Sequence, residues 1–114
     1  MWVPDLHRVT FVPRHVWDMR SAPRHAPRFL LQHGRQRIDQ SRSDRQRVVV
    51  WGAGAKGVMF LNLLKVTTGS GVDWVVDINP RKKGHFVPLR GQRIVGPDYL
   101  SQNSPDLVVV MNPE

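Results

Sequence analysis

Residues 48–64 read VVVWGAGAKGVMFLNLL, and the three glycines between two apolar runs decide how the chain is read. Val48 to Trp51 form a continuous run of β-branched and aromatic residues, the pattern of a strand buried on both faces of a parallel sheet. Gly52, Gly54 and Gly57 then follow the G-x-G-x-x-G spacing. In that spacing the first glycine permits a tight turn, the second lets backbone approach a phosphate, and the third lets helix and strand pack closely. The expected helix after this loop points its N-terminus over the turn, where free N–H groups and the macrodipole favour an anion. A second strand, Val72 to Asp77, ends in a carboxylate 20 residues after Gly57, the place of the ribose-binding acid in a dinucleotide fold. Gly52, Gly54, Gly57 and Asp77 are therefore the candidate nucleotide- or substrate-side residues. A scaffold in which the glycines serve packing alone explains the spacing equally well.

Composition divides the chain. Residues 1–47 hold ten Arg, no Lys and four Asp, which accounts for +6 of the net +8. The clustered hydrophobes lie beyond residue 47, so the core is expected there. We read residues 1–46 as a basic segment and linker, largely solvated, because scattered proline and positive charge bury too little surface to offset ordering entropy. Within it, residues 28–38 (RFLLQHGRQRI) suggest a short helix, and SRSDRQ at 41–46 reads as linker. Trp17 and Phe29 among so many arginines suggest nucleic-acid contacts, but the solvated reading is favoured. His7, His15, His25 and His33 lack metal-ligand spacing, so no metal site is assigned. The absence of cysteine excludes disulfides, thiolate metal sites and thiol nucleophiles. No apolar run approaches the roughly 20 residues that cross a bilayer, and a cytoplasmic protein is the default expectation.

The second part, residues 47–114, is expected to be α/β and Rossmann-like, an incomplete parallel sheet with flanking helices. The helix over Val58 to Val66 is apolar almost all round and so expects cover on both sides. A short strand at Arg93 to Val95, a short helix from Pro97, and a strand at Leu107 to Met111 complete the pattern, with no crossover helix following. His85 has no orienting acid in view and reads as a loop residue. The glycine loop also departs from the S-adenosylmethionine pattern of common methyltransferases. That pattern wants an acid where Val50 stands and a glycine where Lys56 stands.

WGAGAKG at 51–57, DINPRKKG at 77–84 and MNP at 111–113, in this order, closely resemble the C-terminal domain of sugar C-methyltransferases. The resemblance covers about residues 46–114. It implies a Rossmann-like domain that packs against a separate methyltransferase domain, with a nucleotide-linked sugar near the junction. It also implies that S-adenosylmethionine and the catalytic His and Tyr belong to that other domain, which follows a cysteine-bearing zinc module. This chain carries no cysteine and no donor motif before residue 48. The expectation is a truncated fragment or accessory domain that is not catalytic alone, with no cofactor of its own and no catalytic residue. Two alternatives stand beside it: a free-standing dinucleotide-binding module, and an interaction domain whose Val58–Val66 helix pairs with a methyltransferase chain or a second copy. A nucleic-acid or membrane partner is not expected.

Overall fold

A computed structural model describes residues 15–20, 30–69 and 71–111. His7, His25, Phe29 and Asn112 to Glu114 lie outside the described residues. The elements run β1 (His15–Asp18), a π-helical turn (Leu30–Gly34) continuing into α1 (Arg35–Ser43), β2 (Val48–Trp51), α2 (Ala55–Leu63), β3 (Val72–Val76), β4 (Arg93–Val95), a 3-10 helix (Pro97–Ser101) and β5 (Leu107–Val110). The five strands form one parallel sheet in the order β1-β5-β2-β3-β4. Counting from β2, the chain moves outward through β3 to β4, then returns to β2's other side as β5. This is the 3-2-1-4 order of a doubly wound fold, with its reversal between β2 and β5.

Alternation along the strands gives the sheet two apolar faces. Val48, Val50, Leu107 and Val109 meet Phe60, Leu61 and Leu64 of the α2 segment on one face. Val49, Trp51, Val108 and Val110 form the other, with Leu100 and Tyr99 from the 3-10 helix. Both β2 and β5 are buried along their whole length, which is why they read as unbroken hydrophobic runs. Between β2 and β3 the register slips once, Val48 facing Val72 and Val49 facing Trp74, so Asp73 is bulged out to solvent. At the sheet's entrance the Arg47 carbonyl accepts N–H bonds from Asp106 and Leu107, while the Arg47 N–H donates to the Asp106 carboxylate.

Two pieces of the basic first part belong to this fold. β1 pairs in register with β5, His15 opposite Leu107 through Asp18 opposite Val110, and satisfies backbone groups that β5 would otherwise present as an open edge. Trp17 then packs edge-on against Phe60, with ring centroids 6.2 Å apart. The helical stretch 30–43 covers the outer side of α2: a Cβ on Gly34 would lie 2.8 Å from Leu64 Cδ1, and Arg35 Nη1 donates to the Leu64 carbonyl at 2.8 Å. Ile38 of α1 is fully buried in the same core cluster. The cover that the apolar α2 requires thus comes in part from within the chain, leaving Val58, Met59 and Leu63 partly buried.

The SRSDRQ stretch is not wholly linker, since α1 continues through Ser43 and Ser41 is buried. Its end explains why composition misleads. The Gln46 N–H bonds the Ser41 carbonyl and the Arg45 N–H bonds the Arg42 carbonyl, the Schellman arrangement, with Arg45 at φ 56° where glycine is the usual residue. After α2 the same bonds recur from Val66 to Leu61 and from Lys65 to Asn62, with Lys65 at φ 54°. A non-glycine residue held in this region costs roughly 1–2 kcal/mol. A cation there interacts favourably with the helix C-terminus, by about 0.3–1 kcal/mol, and offsets only part of that cost.

Candidate functional site at the glycine loop

The carboxyl ends of β2, β3 and β5 converge where the strand order reverses, the position at which open α/β sheets take ligands. Gly52 turns the chain at φ 117°, a conformation open to glycine, and its N–H donates to the Val76 carbonyl at 2.7 Å. Gly57 lies in the first turn of α2, so close to the loop that a Cβ would stand 2.0 Å from the Gly52 carbonyl oxygen. Gly54 is the N-cap in extended conformation, and no side chain caps the helix. Its carbonyl accepts the first helical bond, from Val58. Among the described residues, the Gly54 and Ala55 N–H groups have no protein acceptor, the orphan donors expected at a helix start.

Asp77 follows β3 directly and is 9% exposed. Its Oδ2 accepts the Ala53 N–H at 2.8 Å and its Oδ1 accepts the Asn79 N–H at 2.8 Å. The carboxylate therefore ties the glycine loop to the turn after β3. Lys82 reaches back from the RKK turn, its Nζ 3.3 Å from the Ala53 carbonyl and 3.9 Å from Asp77 Oδ2. Across the switch point, Lys56 Nζ donates to the Met19 and Arg20 carbonyls at 2.7 and 2.9 Å, pinning the end of β1 to the start of α2. Two ammonium groups thus flank the helix N-terminus. Sequence reasoning placed all three glycines and Asp77 here. It read Arg81, Lys82 and Lys83 as positive charge that meets a phosphate or solvates the loop, and did not see that Lys82 and Lys56 fasten the loop.

Beside Lys56, Asp18 and Arg20 form a paired turn. Arg20 Nε and Nη2 donate to the Asp18 carboxylate at 2.8 and 2.6 Å, and this hydrogen bonding holds Asp18 below its ordinary value of 3.8 against the opposing effect of burial. A lowered folded-state value stabilises the fold at every pH above 3.8, and that contribution fades as pH falls through the lower value. Asp18→Asn should therefore be less stable than wild type near neutral pH, and the gap should close in strong acid. Urea midpoints measured across the acid range check this; a gap that does not depend on pH would contradict it.

Two cavities beside α1 lie away from the loop. One of about 360 Å³ is bounded by Val16, Trp17, His33 and Arg37, and one of about 590 Å³ follows the polar side of α1 past His33 and Arg37. His85 is exposed in the turn before β4, its carbonyl accepting the Ile94 N–H.

The family model of the C-methyltransferase C-terminal domain matches residues 30–114. The chain belongs to this family. The match begins upstream of the 46/47 boundary read from composition and takes in α1, in keeping with the packing of that helix on α2. A comparison with curated proteins returned no match. In this C-methyltransferase C-terminal domain the glycine loop departs from the S-adenosylmethionine pattern at two places, Val50 and Lys56. Val50, where the donor pattern wants an acid, is fully buried in the core, and both Asp77 oxygens already hold backbone amides. Among the described residues no helix is long and apolar enough to cross a membrane.

Proposed function

We propose that this domain serves a sugar C-methyltransferase as its nucleotide-sugar-side module, holding the diphosphate of a nucleotide-linked sugar over Gly54 while another domain supplies the methyl group. The carrying observation is the uncapped start of α2, where the Gly54 and Ala55 N–H groups and the Lys82 ammonium face one corner of the sheet. Backbone donors and a cation at a helix N-terminus make a ready site for an anion. In this reading Gly52 and Gly57 shape the loop, and Asp77 fixes it rather than touching a ribose. The chain itself binds and orients, without a catalytic group of its own, in the cytoplasm. The partly buried Val58, Met59 and Leu63 side of α2 is the face offered to the methyltransferase domain.

Calorimetric titration of a thymidine-diphosphate sugar, NAD and NADP tests the reading. Binding of the sugar nucleotide alone, weakened at least tenfold by Lys82→Gln, is the expected result. Binding of NAD or NADP in preference to the sugar nucleotide would favour the free-standing dinucleotide module and refute this one.

A further inference from the structure

At the opposite end of the sheet, below the start of β2, a cavity of about 260 Å³ is bounded by Arg42, Arg45 and Arg47, with Gly69, Gly71 and Asp73 on its other wall. The geometry points to a second anion site here, one that takes a single phosphoryl group of a small phosphorylated molecule. Three features carry this. First, Arg42 and Arg45 line it with a single carboxylate, Asp73, while the Arg47 guanidinium is turned to the Trp74 ring, which is not among the lining residues. Among the described residues Arg42 and Arg45 have no ion-pair partner, and the Arg47 guanidinium carbon lies 5.4 Å from the Trp74 ring centroid. Asp73 is turned toward its own wall, its Oδ1 accepting the Gly69 N–H at 2.6 Å.

Second, two points of the frame are held by packing and hydrogen bonds. Gly71 sits at φ 141° with its α-carbon so close to Ile38 that a Cβ would lie 2.6 Å from Ile38 Cγ2. The Schellman turn fixes the backbone that carries Arg42 and Arg45. Third, Arg45 is kept in a left-handed conformation that glycine would adopt without strain. Guanidinium forks match phosphate geometry in pairs. The cavity is smaller than the roughly 300–1,000 Å³ of ordinary small-molecule pockets, so it accommodates a phosphoryl group rather than a whole nucleotide.

Inorganic phosphate is the probe. At matched ionic strength, phosphate at tenfold its dissociation constant should raise the midpoint of thermal unfolding by about 6 °C over chloride. It should also shift the Gly69 and Gly71 amide resonances. Arg42→Gln and Arg45→Gly should each abolish both responses. Arg45→Gly relieves the left-handed strain, so its loss of response cannot be ascribed to misfolding. A response equal to chloride, one that persists in both variants, or amide shifts confined to Gly54 and Ala55 would overturn the proposal. The last outcome would place phosphate at the glycine loop instead and leave the function proposed above intact.

Discussion

Gly57→Ala is expected to lower the unfolding free energy by about 3 kcal/mol or more, the upper end of what an overpacked side chain costs. The added methyl would lie 2.0 Å from the Gly52 carbonyl oxygen and 3.2 Å from its carbon, and the obstacle is backbone, not the tip of a flexible side chain. That carbonyl has little freedom to retreat, because Gly52 is anchored through its N–H to Val76 and already occupies a left-handed φ. The gain in helix propensity of alanine over glycine is about 1 kcal/mol and cannot offset the clash. Since domains of this size are stable by about 5–15 kcal/mol, the variant should unfold at a visibly lower urea concentration. A midpoint within experimental error of wild type would mean that helix and loop do not meet as described.

Asp77 should show an effect of comparable size. Asp77→Asn preserves shape but exchanges one acceptor for a donor, so one of the Ala53 and Asn79 N–H groups would face an NH₂ group. The expected cost is about 2 kcal/mol, and Asp77→Ala, which abandons both amides, should cost about 3–4 kcal/mol. A carboxylate that served only a ribose hydroxyl would behave differently. Its replacement would weaken ligand binding and leave stability unchanged. Urea unfolding of the unliganded variants therefore separates the two roles, provided the denaturant slope stays constant.

Much of the fold was legible because its signals are local. Val48 to Trp51, the glycine spacing, Arg93 to Val95 and the Pro97 helix start each declare themselves within a few residues, and each stands where the sequence placed it. β1 declared nothing, because its four residues HVWD take their extended form from the edge of β5 rather than from propensity. The true end of α1 was hidden because arginine, not glycine, occupies the left-handed position after it. Asp77 illustrates the limit within the site. Spacing located the carboxylate, but only the positions of the Ala53 and Asn79 amides reveal what its oxygens hold.

The pairing of β1 with β5 has a consequence for assembly. His15 must wait for Leu107, so among the described strands β1 acquires its partner late, after the β2–α2–β3 unit has had time to collapse by shorter-range contacts. Until then the margin of β5 is a template open to any extended segment, including the same strand of a neighbouring polypeptide. Crowded synthesis should therefore favour strand exchange between copies at this margin, and dilute refolding should suppress it.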